Sequence, residues 1–173
     1  MKRLNSYGTS IKFLASRLKD NPFVSTSNND NLSHLYRVQL EHYFILNNDN
    51  SLQGELAFER RDSKTSNNLG TTASDYAYNK MFIGYHMRHN DFLGGINWMT
   101  SRIHLSLGDE TITTPDPIGF DNNFQYYVLD WFREQSLGQS NFSVFTQALL
   151  HYSGNLLPIE EQFFVGSNTV GRG

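Results

Sequence analysis

Apolar and polar residues alternate along most of this chain with a period of two. Faces with helical spacing are scarce, which is the mark of β-strands whose two sides meet different surroundings. From His34 to Leu46 one parity carries Tyr36, Val38, Leu40, Phe44 and Leu46, and the other carries Arg37, Gln39 and Glu41. Leu52, Leu56 and Phe58 oppose Gln53, Glu55 and Glu59. Met81, Ile83, Tyr85 and Met87 oppose Lys80, Gly84, His86 and Arg88, with Phe82 out of step. Phe142, Val144, Ala148, Leu150 and Tyr152 oppose Ser143, Gln147 and His151, while Tyr7, Ile11 and Phe13 against Ser10, Lys12 and Ser16 begin the series. Two segments are less regular. Between Phe92 and Leu105 the apolar parity passes from Ile96 and Trp98 to Ile103 and Leu105, which predicts a bulge or the end of the buried band. Between Phe124 and Glu134 aromatics occupy both parities, with Asp130 and Glu134 on one and Tyr127, Leu129 and Trp131 on the other. The pattern predicts an all-β fold of seven antiparallel strands.

The connections alternate in length. Polar stretches at 19–33, 62–75, 106–123 and after 153 are separated by short turns at 47–50, 89–91 and 137–141. Such alternation puts the long connections at one end of the sheet and the short turns at the other, the plan of an outer-membrane β-barrel. The alternating stretches approach the ~9–11 residues of a tilted membrane strand and exceed the ~5–6 usual in soluble sheets. Tyr7, Tyr36, Phe44, Tyr76, Tyr78, Trp98, Trp131, Phe142 and Tyr152 lie near strand ends and suit interfacial girdles. On this plan Arg37, Glu41, Glu55, Glu59, Lys80, His86, Arg88, Asp130 and Gln147 face the lumen and the opposite parity faces outer-membrane lipid. A soluble β-barrel with a small ligand in its interior has the same periodicity, but predicts the apolar parity turned inward.

Composition narrows the partners. The 173 residues carry 14 Lys+Arg against 17 Asp+Glu, a net charge of -3 without basic runs, which argues against nucleic acid. No cysteine is present, so disulfides and thiolate metal sites are excluded. The longest apolar runs fall far short of the ~20 residues of a membrane-spanning helix. The start, Met1-Lys2-Arg3-Leu4-Asn5-Ser6, lacks the apolar stretch of a secretory signal, so either a cytoplasmic protein or a chain without its true beginning is expected.

The tail, Leu156-Leu157-Pro158-Ile159-Glu160-Glu161-Gln162-Phe163-Phe164-Val165-Gly166 through Arg172-Gly173, resembles the sixth extracellular loop of two-partner secretion transporters, the haemolysin-activator type of outer-membrane protein. Leu157, Pro158, Glu161, Gln162 and Phe163 match that loop's approach, Gly166 its glycine-rich turn, and Arg172-Gly173 its tip. Gly171 departs from the family, which has a residue such as Val before the Arg, and the aromatic that follows the Gly is not reached. The resemblance implies a transmembrane barrel of the BamA and two-partner secretion superfamily. Residues 1–173 would correspond to strands five to eleven plus the loop, without the remaining strands or the periplasmic POTRA domains. It further implies a location in the cell outer membrane and export of a haemolysin- or adhesin-type exoprotein recognised through the POTRA domains. No cofactor, metal or enzymatic activity is implied, and the fragment alone is expected to be inactive. In the family the loop folds into the lumen and its Arg pairs with an acidic residue of the inner wall further along the chain, which is not in this sequence. Arg172 would therefore be unpaired or would borrow Glu41, Glu55, Glu59 or Asp130. A BamA-like barrel assembly protein is the alternative within the superfamily.

Other chemistry-bearing residues have plainer readings. His86 and His89 are three apart, which on a strand sends them to opposite faces and away from a shared metal. His104 and His151 stand alone, without a nearby nucleophile pattern. Asp109, Glu110, Asp116 and Asp121 lack the ligand spacing of a calcium loop.

Overall fold

Strands joined in sequence by tight turns fold back on their neighbours, and this chain does so throughout. The computed structural model describes residues 2–3, 8–20, 30–66, 72–108, 111–114, 121, 123–137, 142–158 and 161–162. The strands are β1 (Lys2–Arg3), β2 (Ser10–Asp20), β3 (Asp30–Leu46), β4 (Asn50–Ser66), β5 (Thr72–Asn90), β6 (Gly95–Ser106), β7 (Thr111–Thr114), β8 (Gln125–Ser136) and β9 (Ser143–Ser153). They form one antiparallel sheet in the order β1-β2-β3-β4-β5-β6-β8-β9, with β7 paired to β5. Setting aside the two-residue β1 and the four-residue β7 leaves the seven long strands that the alternation predicts. The sheet is all-β and antiparallel but is not closed into a barrel, since no pairing joins β9 to β2 among the described residues.

The short turns have visible causes. The Asn47 side chain accepts hydrogen bonds from the backbone N–H groups of Asp49 (3.0 Å) and Asn50 (2.7 Å), fixing the β3–β4 turn. Asp91 does the same at the β5–β6 turn for Leu93 and Gly95, both at 3.0 Å, and Gly94 supplies the positive φ of 75°. The long connections are shorter than the polar composition predicts. β4 runs on to Ser66 and β5 begins at Thr72, so most of the expected 62–75 loop is a continued ladder, and β7 occupies part of 106–123. Polar residues extend strands here because both partners of the hairpin are polar at the same level, as in Lys64 opposite Asp75.

The two faces differ sharply. One row of register partners, Ile11–Leu40–Leu56–Ile83–Ile103–Tyr127–Tyr152, crosses all the long strands and is apolar or aromatic throughout. One residue along, the row Ser10–Glu41–Glu55–Gly84–Arg102–Val128–His151 lies on the other face. Leu40, Leu56, Ile83 and Ile103 are 41 to 56 % exposed, whereas Glu41, Glu55, Glu59 and Lys80 are at 3 % or less. A flat single sheet exposes both faces alike, so the charged face is the concave one, and Leu157, Pro158 and Glu161 of the segment after β9 are buried against it.

Two of the irregularities read differently in three dimensions. Register shifts within β3, between Tyr43 and Ile45, so that Phe44 drops out of the ladder and Ile45 rather than Phe44 pairs with Leu52, and again at the end of β4, between Thr65 and Ser66. β6 keeps an unbroken register with both neighbours, so its change of parity is not a bulge. Trp98 stands on the concave face, where it meets Phe132 at 5.2 Å, and Phe132 meets Phe145 at 5.8 Å. Tyr76 and Tyr78, at 3 % and 0 % exposure, also belong to the concave side, so these three aromatics are not girdle residues. Tyr36, Phe44, Phe142 and Tyr152 are exposed, Trp131 lies on the apolar parity of β8, and Tyr7 falls outside the described residues.

Glycine requirements separate the faces too. A Cβ at Gly84 would stand 2.4 Å from the Ser101 carbonyl oxygen, which is backbone and cannot yield, whereas one at Gly54 would meet the Phe44 ring at 2.7 Å, a side chain free to swing. Gly84→Ala is therefore expected to cost about 1–3 kcal/mol through overpacking, and Gly54→Ala to be neutral or to gain about 0.5–1 kcal/mol from the stiffer strand. Equilibrium urea unfolding of the two variants decides it, and equal costs would contradict the packing described.

Candidate functional site

The concave wall assembles its charges from neighbouring strands. Glu41 on β3 and Glu55 on β4 are register partners, a repulsive placement unless counter-charge is close. The Gln39 amide bridges them, donating to Glu41 (3.0 Å) and Glu55 (2.7 Å). Lys12 pairs with Glu41, and Gln53 donates to it at 2.7 Å. Arg102 pairs with Glu55, whose other oxygen lies 3.1 Å from His86 Nε2. Two rows further, past Gln39, Ala57 and Phe82, Glu59 lies 2.7 Å from Arg37 and 3.2 Å from Lys80. Phe82, out of step in the sequence, sits beneath these cations, 5.5 Å from the Arg37 guanidinium and 5.4 Å from that of Arg102. Its apolar ring occupies the charged face because guanidinium planes cover it, and Gly84 leaves the space in which Arg102 reaches Glu55.

At the end of this wall nearest the long connections, Tyr76, Tyr78, Phe124, Tyr126 and Leu157 form a buried cluster. Glu161 reaches into it. The Tyr78 hydroxyl donates to Glu161 Oε1 at 2.7 Å, the Tyr126 hydroxyl donates to Oε2, Lys80 Nζ lies 2.6 Å away and Arg61 3.9 Å. Burial by itself would raise the Glu161 pKa, but the charges of Lys80 and Arg61 outweigh it and hold the carboxyl at about 2 instead of 4.5. At the opposite end, in the β5–β6 turn, the Gly95 backbone N–H, the Asn97 amide and Arg133 hold Asp91 at about 2.

The residues expected to face a lumen, Arg37, Glu41, Glu55, Glu59, Lys80, His86, Arg88, Asp130 and Gln147, all share the concave face. The first six form the paired network, with His86 also bonded to Thr100 at 2.9 Å. Arg88 and the Asp130–Gln147 pair stand apart: Arg88 donates to the Asn48 carbonyl at 2.8 Å, and Gln147 donates to Asp130 at 3.0 Å. Of the loop approach, Leu157, Pro158 and Glu161 are buried, while Phe163, Gly166, Arg172 and Gly173 lie outside the described residues. The carboxylates named as partners for Arg172 already have partners: Lys12 at Glu41, Arg102 at Glu55, Arg37 at Glu59 and Gln147 at Asp130.

Sequence reasoning missed Tyr78 and Tyr126 as partners of Glu161. The signal was there, since Tyr78 shares the parity of Lys80 and Tyr126 that of Asp130. Arg61 and Arg102 are likewise on the charged parity, with Glu59 and Thr100. His86 and His89 diverge as expected, His89 bonding Asn50 at 2.6 Å at the sheet end, and no group of metal-ligating side chains occurs among the described residues. Asp121 accepts from the Leu156 backbone at 3.0 Å, while Asp109, Glu110 and Asp116 are outside the described residues. A groove of about 630 Å³ opens on the apolar face beside Gly54, between Leu40, Phe44, Leu52 and Tyr85. It lies across the sheet from the charges.

These features define an open, two-faced antiparallel sheet with a paired polar wall. No family model, curated protein or solved structure matches the chain.

Glu59→Ala leaves Arg37 without its counter-charge and Lys80 with Glu161 alone, and is expected to cost about 3–5 kcal/mol. Asp62→Ala removes only the exposed partner of Arg60 and is expected to stay within ~1 kcal/mol. Chemical denaturation that ranks them the other way would remove the network from its structural role. For Glu161, a depressed pKa means that its contribution to stability is present above 4.5 and is lost as pH falls from there through about 2. The wild-type melting temperature, scanned from neutral to acid, is expected to fall in that window, and Glu161→Gln to lack part of the fall.

Proposed function

We propose that this sheet is part of the wall of an outer-membrane β-barrel similar to the two-partner secretion transporters, with its apolar face toward lipid and its charged face toward a lumen through which an exoprotein passes. The observation that carries the reading is the sidedness of the sheet. A soluble ligand-binding barrel needs the apolar parity enclosed, yet Leu40, Leu56, Ile83 and Ile103 are exposed and the carboxylates are buried. An apolar face of this breadth calls for a cover, and lipid suits a surface that is one strand layer deep and crossed by unbroken apolar rows.

Loop geometry supports the same reading. In the family the sixth loop folds into the lumen, and here Leu157, Pro158 and Glu161 pack on the concave wall. Among the described residues, β9 and the part of β2 beyond its short pairing with β1 present edges whose backbone groups lipid cannot satisfy. On this reading the wall works as part of a closed ring. Within the lumen, a lining whose charges are already paired offers a moving polypeptide a polar surface without strong single-sign attraction.

The two tryptophans give a direct test, because Trp131 lies on the apolar parity and Trp98 on the charged one. In liposomes containing brominated acyl chains, Trp131 fluorescence (Trp98→Phe background) is expected to be strongly quenched and Trp98 fluorescence (Trp131→Phe background) much less. Equal quenching, or none, would remove the membrane wall. Phe58→Arg on the lipid side is expected to cost about 2–4 kcal/mol if it lies near the midplane, measured by unfolding from liposomes. At the level of the cell, deletion of the gene is expected to abolish surface appearance of one large exoprotein. A general loss of outer-membrane barrels would favour the BamA-like alternative instead.

A further inference from the structure

Glu161 occupies a receptor made entirely by other parts of the chain. Two phenolic hydroxyls, from Tyr78 on β5 and Tyr126 on β8, donate to its two oxygens, and Lys80 lies 2.6 Å from Oε1. Lys80 also donates to the Tyr126 hydroxyl at 3.1 Å, so the donors are positioned by one another as well as by the carboxylate. Among the described residues, the cations that reach Glu59 or Glu161 are Arg37, Arg61 and Lys80. Removing Glu161 takes one negative charge from that set. The buried ring of His104, stacked on Tyr126 at 4.3 Å with Nδ1 lacking a hydrogen-bond partner, adds an unsatisfied polar atom beside the seat.

The segment that carries Glu161 is bonded within itself. Its turn closes on itself, with the Glu161 N–H donating to the Pro158 carbonyl and the Gln162 amide to the Leu157 carbonyl, both at 2.9 Å. Upstream it is tied to Asp121, whose backbone N–H donates to the Leu156 carbonyl and whose side chain accepts from the Leu156 N–H, each at 3.0 Å. Of its described residues, Leu157 meets the wall in the aromatic cluster and Glu161 meets it on the hydroxyl and ammonium donors.

We propose that Tyr78, Lys80, Tyr126 and Arg61 form a carboxylate-binding site that the chain's own Glu161 keeps closed, and that an external carboxylate occupies it when the segment lifts away. The ligand class is a carboxylate on a short stem beside an apolar group, as in an acidic side chain of a polypeptide, since the seat's walls are the rings of Tyr76, Tyr78 and Phe124. The inference holds whatever covers the apolar face, because the seat lies on the other side of the sheet.

Chemical rescue tests it on the full chain in detergent. Glu161→Ala is titrated with sodium acetate, with sodium chloride at equal ionic strength as control, and the melting temperature is followed. Acetate is expected to raise it saturably, with half-effect in the millimolar range, while chloride does not. Wild type, whose seat is filled, and the double variant Glu161→Ala/Lys80→Met are expected not to respond to acetate beyond chloride. Equal action of the two salts, or an acetate response that survives Lys80→Met, overturns the proposal. If Glu161→Ala does not fold in chloride, recovery of folded protein in acetate supports the site, and failure in both salts overturns it.

Discussion

A carboxylate removed from water is destabilising unless a counter-charge or several donors replace its hydration, and this sheet buries Glu41, Glu55 and Glu59 side by side. Each is met by a residue from an adjoining strand, Lys12 from β2, His86 from β5, and Arg37 and Lys80 from β3 and β5, while Arg102 reaches Glu55 from β6 across β5. The pairing works in one register only. A slip by one residue in any long strand would carry its charges to the apolar face and its aliphatic residues among the carboxylates. The ionic wall therefore specifies alignment, while the many backbone ladders hold the strands together.

From that alignment the other properties follow. With the buried carboxylates collected on the concave side, the middle of the convex side is left with the unbroken apolar row through Leu40 and Leu56, and the need for a cover is a consequence of where the carboxylates went. The concave wall is not uniform along the strands. Near the short turns it is aromatic, at Trp98, Phe132 and Phe145, in the middle it is ionic, and toward the long connections it becomes a tyrosine-rich pocket that receives Glu161. Phe82 shows how an apolar ring fits within the ionic zone, by lying under two guanidinium groups instead of beside aliphatic carbon.

The position of Glu161 connects this wall to the segment that resembles a transporter loop. Its anchoring differs from the Arg-to-carboxylate contact that the resemblance implies for Arg172, because the charge sense is reversed: the loop contributes the carboxylate and the wall the cations. The wall carboxylates Glu41, Glu55 and Glu59 already have cationic partners from within the sheet.

Period-two alternation was enough to read the all-β class, the seven long strands and the sharing of one face by Arg37, Glu41, Glu55, Glu59, Lys80 and His86, because in a strand parity is geometry. The place of polar turns at Asn47 and Asp91 was equally plain, since their side chains act on backbone within four residues. What parity could not supply is which face is concave, how far polar strands continue past the apolar band, and which side chains from distant strands meet. Tyr78 and Trp98 looked like girdle aromatics until register placed them on the same face as the charges, and Glu161 found Tyr78, Lys80 and Tyr126 from 83, 81 and 35 positions away. Local alternation is set by bond geometry within one strand, but curvature and long-range partners depend on the summed packing of all of them.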